Sequence, residues 1–155
     1  MIAVMQPGQK NKKARFNNTS RHFSPTFTLQ TLWMTFEDIL SRFDEHTATL
    51  ALQLRKFILI ELKGAIEIPD NSANIIGYGY GTGYKDLICT ILLSKQGVKL
   101  GLNRGSELPD PKKLLTGTGK VHRFVEIKTE MEIHNPAFKK LLDDALRAYQ
   151  QRKNN

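Results

Sequence analysis

The chain has a single cysteine among its 155 residues, so no disulfide can close within it. That excludes a small secreted scaffold held by crosslinks and favours a reducing compartment, with the cytoplasm as the expected location. No apolar run approaches the roughly 18 to 20 residues that a membrane-spanning helix needs, so no membrane span is expected. The four histidines, His22, His46, His122 and His134, show neither H-x-H nor H-x-x-x-H spacing, and one thiol cannot build a zinc cluster. A G-x-S-x-G nucleophile elbow is absent too, and with it any constellation of nucleophile, base and orienting acid. No enzymatic activity and no cofactor are expected.

Carboxylates are missing from one region in particular. Residues 1–33 carry Lys10, Lys12, Lys13, Arg15 and Arg21 but no Asp or Glu, although the chain as a whole has a net charge of +8. Setting aside those five together with Arg152 and Lys153 leaves 16 basic and 15 acidic side chains, so the middle of the chain is nearly neutral. Basicity at the ends reads as solvated tail, with a phosphate-binding arm for nucleic acid as the sharper alternative. Ile2-Ala3-Val4-Met5 is too short for a signal-peptide core. Residues 1–33 are therefore expected to be a disordered basic extension, residues 34–150 one domain and residues 151–155 a disordered tail, with Met34, next to the first helix signal, as an alternative start.

Local signals then order the domain. Thr35 can cap a short helix running to about Phe43, with Glu37 and Asp38 in its dipole-favoured first turn. Asp44 offers a second cap, and Leu50, Leu54, Phe57, Ile58 and Leu62 recur at helical spacing along one stripe that ends near Gly64. From Asn74 the pattern turns to strands. The segment Ile75-Ile76-Gly77-Tyr78-Gly79-Tyr80-Gly81-Thr82-Gly83-Tyr84 leads into the apolar run Leu87-Ile88-Cys89-Thr90-Ile91-Leu92-Leu93. Apolar residues of both parities there imply a central strand with both faces covered, or nearly so, and with Cys89 a buried, unreactive thiol. Gln96-Gly97 signals a hairpin, after which Val98, Leu100 and Leu102 alternate with polar or small neighbours. A strand over residues 121–128 places Val121, Val125 and Ile127 on one face, and Asn135-Pro136 opens a last helix that buries Phe138, Leu141, Leu142, Ala145 and Tyr149. The expected fold is α+β: N-terminal helices, an antiparallel β-meander and a C-terminal helix packed on the sheet.

The succession of Asp86-Leu87-Ile88-Cys89, Val98-Lys99-Leu100-Gly101-Leu102, Gly105, Leu108-Pro109-Asp110-Pro111 and Leu114-Leu115-Thr116-Gly117-Thr118-Gly119-Lys120, followed by Val121-His122-Arg123-Phe124-Val125, resembles the YdhG-like family. The resemblance covers roughly residues 36–149. It implies a bacterial domain of unknown function with a frataxin-like α+β sandwich, and, by that analogy, intracellular iron-binding chaperone activity as one reading. The family's tryptophan or proline-aromatic pair before the central strand is replaced in this chain by the glycine-tyrosine run.

Two glycine-rich segments fail as nucleotide loops. Gly117-Thr118-Gly119-Lys120 lacks the earlier glycine of a P-loop, has Val121 where Ser or Thr is needed, and enters a strand instead of a helix. Glycine at every second position over residues 77–83 cannot supply G-x-G-x-x-G; it leaves one strand face bare, as in a twisted edge strand or a place of close backbone or ligand approach. What remains is a surface of Lys120, His122 and Arg123 beside the Gly-Thr-Gly-Lys loop, joined by Arg104 and by Tyr78 or Tyr80. Cations with aromatics suit a small anionic ligand or an acidic protein partner. For metal, Glu130, Glu132 and His134 would share one side of an extended segment and form the alternative, iron-binding site. A non-enzymatic small-ligand or protein-interaction module is thus the leading expectation, and nucleic-acid contact through the tail the third.

Overall fold

The computed structural model describes residues 35–155, so the extension over residues 1–33, the Met34 start and the nucleic-acid arm lie outside the described residues. The first helix, α1 (Phe36–Leu40), begins at Thr35, whose hydroxyl accepts from the Asp38 amide while the Asp38 carboxylate accepts from the Thr35 amide. This reciprocal capping satisfies two of the amides that a helix start leaves without partners. A turn replaces the helix before Phe43. Asp44 then caps α2 (Glu45–Glu61) by accepting from Thr47 N at 2.9 Å, and Gly64, at φ +79°, turns the chain after it.

Five strands follow: β1 (Ile66–Asp70), β2 (Ile75–Gly79), β3 (Leu87–Ser94), β4 (Gly97–Leu102) and β5 (Arg123–Ile127), each antiparallel to its sequence neighbours in the order β1-β2-β3-β4-β5. A one-turn helix, α3 (Glu130–Ile133), precedes α4 (Pro136–Asn154), where Asn135 caps by accepting from Ala137 N. The helices pack on one sheet face, so Leu50, Leu54, Ile58, Phe138, Leu141 and Leu142 share a core with Ile76, Cys89, Ile91, Leu100, Val125 and Ile127. Phe57 and Phe138 join α2 to α4 through rings 5.5 Å apart. The α+β class and the meander are those expected from the sequence. Among the described residues no helix is long and apolar enough to cross a membrane.

One strand was not anticipated and three local expectations need correction. Pro69 is tolerated in the unanticipated β1 because β1 is an edge strand, where a missing amide breaks no ladder on its open side. β1 in turn makes β2 an inner strand, not the twisted edge expected of the glycine run. β3 is central and covered or nearly so on both faces, as expected: Thr90 and Leu92, of the other parity, and Leu87, ahead of an irregularity in pairing, are half-buried. There Leu87 lies over Gly77, where a Cβ would stand 2.8 Å from its Cδ2, so a neighbouring side chain closes over the bare position. Pairing slips between Tyr78 and Gly79, and around that irregularity Ile88 and Cys89 are both buried although consecutive. Finally, β5 starts only at Arg123, leaving Val121 exposed outside it, and α4 runs on through Asn154 where a tail was expected from residue 151.

Candidate functional site: a cationic cleft

Asp86 organises the site. The glycines at alternate positions in residues 79–83 make room for it: a Cβ at Gly79 would lie 2.0 Å from the Asp86 carbonyl oxygen, one at Gly81 2.7 Å and one at Gly83 3.1 Å from its carboxylate. The bare strand face is thus a close approach of backbone to one aspartate, not a ligand shelf. With Asp86 nested there, Tyr84–Asp86 forms a single 3₁₀ turn before β3. The Asp86 carboxylate receives the Lys153 ammonium, which fastens the end of α4 to this turn. That hydrogen bond holds the Asp86 carboxyl below its usual range and raises Lys153 above its own.

Beyond β4, Asn103 and Arg104 complete the frame. Asn103 Nδ2 donates to the Tyr84 carbonyl at 3.3 Å and to the Leu87 carbonyl at 3.0 Å, tying the turn to the end of β4. Its Oδ1 is buried with no hydrogen-bond partner among the described residues. Because both amide protons face carbonyls, rotating the side-chain amide would set oxygen against oxygen, so the acceptor stays unmet. An unmet buried acceptor costs about 1 to 3 kcal/mol. Arg104, at φ +57°, turns the chain into a 3₁₀ turn over Gly105–Glu107 and pairs with Glu107, which lifts the Arg104 pKa and lowers that of Glu107. Ser106 holds the following loop by donating from its amide to the Val121 carbonyl and from its hydroxyl to the Lys120 carbonyl.

These segments enclose a cleft of about 470 Å³ lined by Tyr84, Lys85, Asn103, Arg104, Val121, Tyr149, Arg152 and Lys153. Four of those are cations, and only Arg104 and Lys153 are neutralised, by Glu107 and Asp86. Lys85 and Arg152 make no ion pair among the described residues. The Tyr84 ring, 63% exposed, stands at the opening, and its hydroxyl forms a hydrogen-bonded pair with His122 Nε2. The cleft has the charge to hold an anion and the apolar walls to hold something larger. Compared with family models, curated proteins and solved structures, the chain matches none. Geometry alone therefore carries the functional reading.

The residues expected around the Gly-Thr-Gly-Lys loop are only partly brought together. Arg104 lines the cleft, and His122 reaches it through Tyr84. Arg123 does not line the cleft: its Nη1 donates to the carbonyls of Gly119 and His122, so it braces the loop. Lys120 is exposed and lies outside the cleft lining.

Tyr78 must be withdrawn as a ligand contact. It is fully buried, and its hydroxyl donates to Glu67 Oε2 at 2.8 Å; burial and the adjacent carboxylate push its pKa far up. Shared strand parity with Ile76 was the sequence signal for its inward position. Tyr80 is half-committed, donating to the Lys63 carbonyl and lying 5.9 Å from the Tyr149 ring. Cys89 is completely buried, and desolvation raises its thiol pKa well beyond the usual range. Sequence reasoning missed Tyr84, Lys85, Asn103, Arg152 and Lys153; the one available hint was the pair of cations closing an otherwise well-patterned helix.

The proposed metal set fails on its premise. Residues 130–133 are helical, so a spacing of two no longer places side chains together. Glu132 turns back to accept from the amides of Lys128 and Thr129, while Glu130 and His134 approach to 3.9 Å one turn apart. Among the described residues no three His, Cys, Asp or Glu side chains are grouped to hold a metal ion.

Proposed function

We propose that this chain is a non-enzymatic, YdhG-like binding module of the cytoplasm whose small anionic ligand sits in the cleft between the Tyr84–Asp86 turn, Asn103, Arg104 and the end of α4. The carrying observation is the convergence there of four cations with, among the described residues, two carboxylate partners. Charge left over after internal pairing is what an anion can use, because it need not break an existing ion pair to bind. Iron binding is the weaker reading, since Glu132 is taken up by its cap and leaves only Glu130 and His134.

Titration calorimetry of the full chain with inorganic phosphate tests the reading, comparing wild type with Lys85→Ala plus Arg152→Ala and with Lys120→Ala. Saturable binding should weaken at least about tenfold in the double variant, the effect of losing about 1.4 kcal/mol of interaction, and should persist in Lys120→Ala. No binding, or binding indifferent to Lys85 and Arg152, would overturn it. Ferrous and ferric iron in parallel titrations should give no saturable uptake.

A further inference from the structure

We infer that the ligand of the cleft is a phosphate monoester carrying a flat ring, for which a nucleoside 5′-monophosphate is the simplest probe. This rests on the anion-binding reading above and narrows it by two independent features of the walls.

Charge is the first. Lys85 and Arg152 are the two lining cations without an ion pair, and they come from elements held together by the Lys153–Asp86 contact next to both of them. Two free cations match the charge of between one and two that a phosphate monoester carries near neutral pH, whereas a monocarboxylate would leave one uncompensated. A guanidinium also presents its donors in a fork that fits two phosphate oxygens. Glu107 and Asp86 flank the cations and disfavour a more diffuse polyanion that would spread beyond them.

Shape is the second. About 470 Å³ exceeds what a free phosphate fills and falls in the range of small-molecule sites. Tyr84 and Val121, both exposed, supply apolar surface in the cleft lining that an inorganic anion would leave in water. The Tyr84 ring is fixed edge-to-face against His122, at 86° and 5.7 Å between centroids, so it offers a held surface for stacking instead of a swinging one. Stacking on such a ring is tolerant of which base or aryl group is presented.

The test compares four probes on the full chain by calorimetry: adenosine 5′-monophosphate, ribose 5-phosphate, inorganic phosphate and adenosine, with wild type, Tyr84→Ala, Tyr84→Phe and Lys85→Ala plus Arg152→Ala. Circular dichroism confirms that each variant is folded. The mononucleotide should bind at least about tenfold more tightly than ribose 5-phosphate, and adenosine hardly at all. Tyr84→Ala should abolish that preference while keeping phosphate binding, and Tyr84→Phe should retain it. If all three phosphates bind alike and Tyr84 is indifferent, the ring-bearing ligand is wrong while the anion site stands. If nothing binds in a manner sensitive to Lys85 and Arg152, both readings fall, including when the five cations of residues 1–33 bind phosphate instead. A single-stranded oligonucleotide that binds far more tightly than the mononucleotide, with affinity falling steeply in salt, would replace the small ligand by a nucleic-acid chain.

Discussion

Two polar clusters in this domain are built from similar parts and end differently. Under α2, Arg55 grips Glu67 through two hydrogen bonds of 2.7 and 2.9 Å, Tyr78 donates to the same carboxylate, and the guanidinium lies 4.8 Å from the Phe36 ring centroid. Here the principal charges are matched: Glu67 sits directly opposite Tyr78 on the inward side of β1, and the cluster welds an edge strand to the first long helix. At the end of α4 the parts are again aromatics, cations and carboxylates, but Lys85 and Arg152 are left over and Asn103 Oδ1 is unmet. A closed cluster holds the fold. An open one keeps cationic bonding capacity at the surface, where Lys85 is exposed and Arg152 half-exposed.

Perturbing each cluster should sharpen that contrast, with the apolar core as the yardstick. Leu54→Ala, at a fully buried position between the two helices and the sheet, should cost about 2 to 5 kcal/mol in denaturant unfolding. Glu67→Ala comes next, at about 2 to 3 kcal/mol, since it removes charge-assisted hydrogen bonds and strands the buried Tyr78 hydroxyl. A loss at Glu67 no greater than at an ordinary surface residue would mean that the closed cluster is not structural.

Asp86→Asn should have a smaller effect, concentrated on the last turn of α4 and read by NMR shifts of Arg152 and Lys153. Its pH dependence has a definite sign. Folding lowers the Asp86 pKa below 3.8, so its contribution is present above that value and is lost as pH falls through the folded one. Folding raises Lys153 above 10.5, so its contribution is full below that value and disappears as pH rises through the folded one. The anchor is therefore strongest between these limits, and in Asp86→Asn the acid limb should vanish. Smallest of all, Lys85→Ala plus Arg152→Ala should shift stability by no more than about 0.5 kcal/mol while weakening anion binding, which separates use from architecture.

The legible parts of the fold were those specified within a few residues. Thr35, Asp44 and Asn135-Pro136 cap helices by bonds to neighbours two or three positions away, and the Gln96-Gly97 turn sets its hairpin in the same way. β1 escaped because its strand character comes from pairing with β2 and from Arg55 reaching Glu67 across the core, neither of which marks the local sequence. Of the readings the glycine-tyrosine run offered, close backbone approach holds and the edge strand does not: its spacing answers to Asp86, which follows the run and is unremarkable by itself. The cleft was least legible, since it collects residues 84–85, 103–104, 121, 149 and 152–153 from separate segments that meet only after folding. Lys120 and Arg123 stood out as a compact basic pair, yet the loop carbonyls of Gly119 and His122 claim Arg123.

Pro69 on β1 has a counterpart at the far side of the sheet. There Thr116 exchanges both of its backbone hydrogen bonds with Phe124, covering the outer edge of β5 near its start. On the opposite margin Pro69 offers no amide, and charged Asp70 follows it. Neither border can seed a growing ribbon of neighbours by simple strand addition. Concentrated solutions of the domain should accordingly stay clear until molecules begin to unfold, and turbidity on heating should track loss of the helix signal instead of preceding it.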